Sequence, residues 1–311
     1  VPQEIPELRD WLALPLEVMA ERVAEHKVTV YVSTDGTQRH YFLTHPEMNG
    51  QLSDYKAYAQ ATGFAYTKLF NLLFSAGIHT VLTANMYPPN FQRGAQLLDQ
   101  MIAMSRLILV NPPFTDLYKQ WQVQARLYGD YDLAPAAAKA RSSLITLDQE
   151  LAALTTPYRQ RLLLFGYCAG SFSDEMIVRT LALSQQLKRA PTTDELRQSC
   201  FPFGPDRLNL FINTGWFRVG GTLPPVLDQG TDLYNLSILA FDLTEHDLRR
   251  ILYDHLFLRN AAPEDNIPYT PDDLQELADY YAHNSQYVIG LGRLVGSGLW
   301  YPDNNAHLFD R

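Results

Sequence analysis

The feature that most constrains this chain is an alternation of short apolar runs with longer amphipathic ones. Val28–Val32 (VTVYV) is a β-branched run bounded by Lys27 and a Ser-Thr-Asp-Gly cluster, and it predicts a buried strand. A helical stretch from about Ser53 to Ser75 follows, its end crowded by Leu69, Leu72, Leu73 and Phe74, with Gly77 as the expected C-cap. Further strands are expected at Ile78–Thr83, Val123–Tyr128, Leu162–Tyr167, Leu208–Asn213 and Leu236–Phe241. Between and after them, helices are expected over Arg93–Arg106, from the Ser-Phe-Ser-Asp start to about Leu187, and from the capping sequence Thr244-Glu-His-Asp247 through Arg259. About six strands alternating with helices predict an α/β fold with a central, mostly parallel sheet flanked by helices. No repeat, low-complexity linker or composition shift divides residues 1–311, so a single domain is expected. In sheets of this kind ligands sit beyond the carboxyl ends of the strands, and candidate residues are best sought there.

Charge removes one class of function. The 311 residues carry 25 Lys+Arg against 34 Asp+Glu, a formal charge of −9, which lacks the basic balance of a general nucleic-acid binder. Anionic small molecules remain open, because a few local arginines can hold a phosphate inside an acidic protein. Two cysteines, Cys168 and Cys200, form neither a disulfide framework nor a zinc knuckle. The start, VPQEIPELRDWL, has no basic and then apolar secretory pattern, and the uncharged run Leu69–Gln92 is broken by Asn71, Gly77, His79, Asn85 and two prolines. A cytoplasmic protein without membrane insertion is the expectation.

Two segments stand at the ends of expected strands. Thr34-Asp35-Gly36-Thr37-Gln38-Arg39-His40 puts a carboxylate, a permissive glycine and an arginine after the first strand; as residues alone, it also reads as a polar Asp-Gly turn. Tyr87-Pro-Pro-Asn-Phe-Gln-Arg93 follows the second strand and opens a helix, where backbone N–H groups and Arg93 would suit a phosphate. A proline-directed helix start with a solvated arginine explains the same residues.

Taken in order, a strand, Asp-Gly-x-x-Arg, a long helix, Ala76-Gly77-Ile78 and an Asn-aromatic-x-Arg turn resemble the cis-prenyltransferases. Their Asp-Gly-Asn-Gly-Arg-Trp motif looks like Asp35–His40, their Asn-Trp-x-Arg like Asn90–Arg93, and their strand ending in Gly-Asp like Tyr128-Gly129-Asp130. The fold implied is the cis-prenyltransferase sheet. The segment with which those enzymes clamp a second diphosphate, Arg-Thr-Ser-Gly-Glu-x-Arg, looks here like Ile212–Arg218, with Asn213 in place of the first arginine and the acidic residue missing. Loss of charge-assisted bonds worth about 1.5–3 kcal/mol each argues against chain elongation.

A narrower group fits more of the chain. At Asp35-Gly-Thr-x-Arg39, Asp54-Tyr55, Tyr128-Gly-Asp-Tyr131, Leu248–His255, Gly290-Leu-Gly292 and Gly298-Leu-Trp300, the sequence resembles the tuberculosinol synthase and tuberculosinyl transferase family along essentially its whole length. It departs at Gln38, where that family has a second arginine, and at Leu97, where it has a tyrosine. The resemblance implies one substrate, a bicyclic diterpenyl diphosphate of the kolavenyl or tuberculosinyl type. Ionisation and capture of the allylic cation by water would give a tertiary alcohol; transfer to a nucleoside such as adenosine is the alternative, with elongation a further one. On this reading Gly36, Arg39, Asn90 and Arg93 bind the diphosphate, and Asp35 acts in catalysis and as first ligand for Mg2+. The Tyr55 ring faces the cation, and Phe70, Phe74, Leu97 and Met101 wall the hydrocarbon, although core packing explains those four equally well. A homodimer is also implied.

Other signals have plain explanations. Asp272-Asp273-Leu-Gln-Glu276 follows Thr270-Pro271 and is expected to cap a helix. His255, among Leu252, Leu256 and Leu258, is expected as a satisfied core histidine, and Arg249-Arg250 as a solvated helix edge. Gly290-x-Gly292 lacks the spacing of a dinucleotide site.

Overall fold

The run Thr29–Val32 is buried on both sides: Val30 and Val32 enter one core layer and Tyr31 the other. Strands covered on both faces are continuous apolar runs, and this is the signature that places them inside a parallel sheet. A computed structural model describes residues 5–52, 54–215, 230–259, 269–285, 289–295 and 299–303. In chain order its first half holds α1 (Leu8–Ala13), α2 (Leu16–Glu25), β1 (Thr29–Val32), α3 (Thr37–Thr44), α4 (Tyr55–Ser75), β2 (Thr80–Met86), α5 (Pro88–Phe91), α6 (Ala95–Leu109) and α7 (Phe114–Trp121). There follow β3 (Val123–Tyr128), α8 (Arg141–Thr155), β4 (Arg161–Tyr167), α9 (Phe172–Leu187), α10 (Thr193–Cys200), β5 (Leu210–Thr214) and β6 (Asp232–Leu236). The last elements are α11 (Glu245–Tyr253), a π-helical turn over Asp254–Arg259, α12 (Pro271–Asn284), β7 (Gly292–Val295) and β8 (Leu299–Pro302).

Six parallel strands pair in the order β3-β4-β2-β1-β5-β6, with Val30 opposite Val81 on one side and Leu210 on the other. The loops after β1, β2 and β5 therefore emerge side by side at the centre of the carboxyl edge. On one face α4 supplies Leu69, Phe70, Leu73 and Phe74, each buried side chain contributing about 1.5–3 kcal/mol. Asp54 starts that helix by accepting the Lys56 and Ala57 amides, both at 2.9 Å, a cap worth about 1 kcal/mol. Gly77 ends it at φ +88°, directly after Ala76; a Cβ there would stand 2.2 Å from the Ala20 carbonyl oxygen.

The expected strands lie where the sequence places them, with two shifts. β2 runs on to Met86, because Ala84 and Met86 continue the buried pattern begun at Thr80. The sixth strand is Asp232–Leu236 and not Leu236–Phe241. It is an edge strand paired only with β5 and half-buried, so it carries no apolar run; the apolar residues after it turn over the carboxyl edge, ending in a 3-10 turn at Ala240–Asp242.

Arg249 corrects a second expectation. It is buried, not solvated: its guanidinium bonds Glu245 at 2.7 Å and the Leu14 carbonyl at 2.9 Å, while its own carbonyl accepts the Trp11 indole at 2.8 Å. The helix beginning at Thr244 thus anchors α1. It passes into the π-turn where His255 bonds Asp232 at 2.6 Å, the satisfied core histidine expected. Thr270 and Asp273 cap α12 reciprocally, with Pro271 in its first turn. Among the described residues no helix is long and apolar enough to cross a membrane.

Candidate active site

Asp35 and Gly36 turn the chain from β1 into α3. Gly36 adopts φ +87°, a conformation costly for residues with a Cβ, and a Cβ there would lie 2.9 Å from Arg39 Nη2 and 3.0 Å from Leu239 Cδ2. Arg39 folds back across the glycine from the first turn of α3, and its Nη2 donates to Asp35 Oδ2 at 3.1 Å. The pair is partly open, with side-chain exposures of 34% for Arg39 and 50% for Asp35. Arg39 Nε is buried without a hydrogen-bond partner among the described residues, and the Tyr301 ring of β8 stands 5.9 Å from the guanidinium carbon.

Two more strand ends meet this turn. Gly215, after β5, has φ +93°, and a Cβ there would come within 3.3 Å of Asp35 Oδ2. Tyr87, after β2, interacts through its phenol with Tyr31 and Ser33; burial raises its pKa, and the Asp35 charge adds to the rise. On the α4 side, Thr34 Oγ1 bonds the Tyr66 hydroxyl at 2.9 Å and Thr83 Oγ1 at 3.1 Å, and Thr37 Oγ1 bonds the Tyr58 hydroxyl at 3.0 Å. Deeper in, Asn85 bonds Ser105 at 3.1 Å and also the Tyr167 hydroxyl. The arrangement offers an anion an arginine and the N-terminal turn of α3, with hydroxyl groups ranged below.

The remaining sequence candidates divide. Asn90 does not face an open site: its Oδ1 accepts the Tyr87 amide at 2.8 Å, so it holds the turn that carries Tyr87. Arg93 is exposed between α5 and α6 and lies outside any helix N-terminus, since α5 is a single turn and α6 starts only at Ala95. Tyr55 is the first residue of α4 and 42% exposed, so it does not lie in a desolvated cavity. Phe70 and Phe74 are fully buried, packed against Tyr66, Phe114, Phe165 and Trp121; they are core, because the apolar run that named them is the face α4 presses on the sheet. Leu97 and Met101 are half-buried on α6. Asn213 is a buried β5 residue whose amide bonds Asn235, while Trp216–Arg218 lie outside the described residues.

Sequence reasoning did not single out Tyr58, Thr62, Tyr66, Leu239 or Tyr301. A signal for the first three was present: Tyr55, Tyr58, Thr62 and Tyr66 follow helical spacing along one side of α4.

No group of three His, Cys, Asp or Glu side chains among the described residues could hold a metal. Asp35 fits a different mode, in which Mg2+ is shared between one open carboxylate and substrate phosphates. Beside α5 lies a cleft of about 610 Å³, lined by Gln92, Leu133, Ala134, Asp174, Glu175 and Val178 among others.

The chain has the cis-prenyltransferase fold. Lavandulyl diphosphate synthase from Lavandula x intermedia, solved in complex with dimethylallyl diphosphate, superposes with a TM-score of 0.57 at 16% identity over 73% of this chain and 94% of that one. Within that class the chain is similar in sequence to a tuberculosinyl transferase. It is 27% identical to tuberculosinyl adenosine transferase of Mycobacterium tuberculosis (strain CDC 1551 / Oshkosh) over 299 residues, covering 95% of this chain and 98% of the relative. No family model matches it.

Proposed function

We propose that this protein is a diterpenyl-diphosphate-dependent transferase that ionises a bicyclic diterpenyl diphosphate and passes the allylic cation to a nucleophile. The observation that carries this reading is the Asp35–Gly36–Arg39 turn, where an arginine bent over a left-handed glycine meets the open end of a helix at the sheet's carboxyl edge. Arg39 and the backbone N–H groups opening α3 bind the diphosphate. Those bonds strengthen as charge grows on the leaving oxygen, so they favour the transition state over the bound substrate. Asp35 holds Mg2+ together with the diphosphate; when bound, the ion shares the leaving-group charge. Tyr55 offers a partly exposed ring, and Leu97 and Met101 line the approach of the hydrocarbon. Arg93 and Asn90 act at one remove, the first as an exposed positive charge and the second by fixing the Tyr87 turn.

A nucleoside of the adenosine kind is the first acceptor proposed. The activity printed in the relative's name supports it, as does the cleft beside α5, which is of small-ligand size. Capture by water, giving a tertiary alcohol such as kolavelool, is the second reading, favoured by the hydroxyl-bearing stripe along α4. Action in the cytoplasm as a homodimer completes the proposal.

The test is incubation of the full chain with kolavenyl or tuberculosinyl diphosphate and Mg2+ in ¹⁸O-labelled water, with and without adenosine. Diphosphate release and products are followed by mass spectrometry. An adenosine adduct supports the first acceptor, and a tertiary alcohol carrying ¹⁸O the second. A primary alcohol with unlabelled oxygen, or no diphosphate release with either substrate, overturns ionisation.

A further inference from the structure

Arg39 is lightly tethered for a side chain that must meet an anion in one orientation. Among the described residues its guanidinium makes one hydrogen bond, from Nη2 to Asp35 at 3.1 Å, and its buried Nε has no partner. A single bond does not fix the plane of the fork, and an arginine first ordered on binding loses its rotamer freedom at that moment. On one side the guanidinium lies along Gly36, whose missing Cβ leaves it room. On another stands the half-buried ring of Tyr301, with 5.9 Å between the guanidinium carbon and the ring centre. Within about 6 Å an aromatic face holds a cation, and the planar guanidinium is the cation best suited to it.

The ring comes from the far end of the chain, and more than this contact keeps it there. In β8, Tyr301 pairs with Arg293 and Pro302 with Gly292 of antiparallel β7. A Cβ at Gly292 would fall 2.2 Å from the Tyr301 carbonyl oxygen and 2.4 Å from Trp300 Cζ2, so only glycine lets the two strands close this tightly. Arg293 binds Asp303 at 2.8 Å, and the Asp303 amide donates to the Leu291 carbonyl at 2.9 Å, which fastens the end of β8. Ser237 donates to the carbonyl of the buried Pro302 at 3.4 Å. Two residues further along that segment, Leu239 Cδ2 stands 3.0 Å from where a Gly36 Cβ would be. The β7–β8 pair is thereby joined to the same segment that touches the Asp35–Arg39 turn.

We infer that Tyr301 is a positioning residue for diphosphate binding, its ring holding the Arg39 guanidinium in the plane from which the fork takes the diphosphate. The inference rests on the proposed role of Arg39. Tyr301 takes no part in bond breaking; it lowers the cost of ordering the arginine before the substrate arrives.

The test is a double-mutant cycle on the full chain, read as the affinity for inorganic diphosphate with Mg2+ by calorimetry and as initial-rate diphosphate release from kolavenyl diphosphate. With Arg39 present, Tyr301→Ala is expected to weaken diphosphate binding about three- to tenfold. Tyr301→Phe should stay within about twofold, since the ring and not the hydroxyl makes the contact. In an Arg39→Ala chain, Tyr301→Ala should change the affinity less than about twofold, because the ring then has no cation to hold. Tyr301→Leu, which keeps bulk without an aromatic face, should behave as Tyr301→Ala does and takes its place if that variant misfolds. Equal weakening in both backgrounds, the mark of a packing role, overturns the inference. So does undiminished binding in a folded Tyr301→Ala or Tyr301→Leu chain. An unaltered chain that binds inorganic diphosphate but releases none from kolavenyl or tuberculosinyl diphosphate overturns the proposed function, while the binding cycle still decides Tyr301. One that binds no inorganic diphosphate overturns this inference together with the role of Arg39.

Discussion

Replacing Arg39 by alanine should separate the stability of this protein from its activity. The Arg39–Asp35 pair is an i,i+4 contact with both side chains partly exposed, so it contributes about 0–1 kcal/mol to folding. Its loss should move the melting temperature by only a few degrees. Toward a diphosphate the same guanidinium is in a different position. Among the described residues its buried Nε has no partner and its Nη2 is held by the Asp35 carboxylate, so the fork can turn onto phosphate oxygens without breaking an interior bond to those residues. One charge-assisted bond of about 1.5–3 kcal/mol, lost from the transition state, lowers kcat/KM by about 10- to 150-fold. The assay is initial-rate diphosphate release from a diterpenyl diphosphate, beside a thermal unfolding curve of each variant. Because the bond tightens as the leaving group gains charge, kcat should fall more than KM rises. Arg39→Lys, which keeps charge without the planar fork, should lie between. A folded Arg39→Ala protein within twofold of the unaltered kcat/KM would refute the assignment. A loss of rate explained wholly by unfolding would do so equally.

Three further outcomes are expected. Asp35→Asn should cut turnover at least about tenfold, or 1.4 kcal/mol of barrier, with little change in melting temperature; unaltered rates across a Mg2+ titration would remove Asp35 from the chemistry. Tyr55→Phe should be nearly silent and Tyr55→Ala should lose about two- to fivefold in turnover, since a half-exposed ring offers only about 0.5–1 kcal/mol of cation–π attraction. The reverse order in initial rates would point to its hydroxyl. Asp148→Ala should cost about 3–5 kcal/mol in denaturant unfolding, because Asp148 accepts Arg126 at 2.9 and 2.6 Å and the Leu127 amide at 2.8 Å in a buried setting. A change below about 1 kcal/mol would show that the pair is not holding α8 to β3.

Periodicity carried most of the fold. Val28–Val32 and Leu162–Tyr167 are covered on both faces, so burial writes them into the sequence as nearly continuous apolar runs, whereas the edge strand Val123–Tyr128 alternates buried residues with the half-buried Gln124 and Arg126. β6 escaped that reading because an edge strand with partly exposed faces needs no such run. The candidate site was legible in part. Asp35, Gly36 and Arg39 adjoin in sequence and stay together in space, since a turn into a helix is a local structure. Asn90 and Arg93 lie on the neighbouring turn, but their side chains go to a backbone amide and to solvent, which spacing does not reveal. Phe70 and Phe74 were ambiguous for the opposite reason, because pocket wall and core have the same composition.

The sequence by itself determined the order of strands and helices, the left-handed glycine turn after β1, and the caps at Asp54, Thr244 and Thr270. Each of these depends on a few adjacent residues and on backbone preferences that act at short range. Only the tertiary structure decided that Gly215 approaches Asp35, that Tyr301 covers Arg39, and that Tyr58 and Tyr66 bracket the turn while Thr62 between them keeps its hydroxyl unspent. Those relations join residues brought close by strand order and helix packing, and a chain read in one dimension carries no measure of that distance.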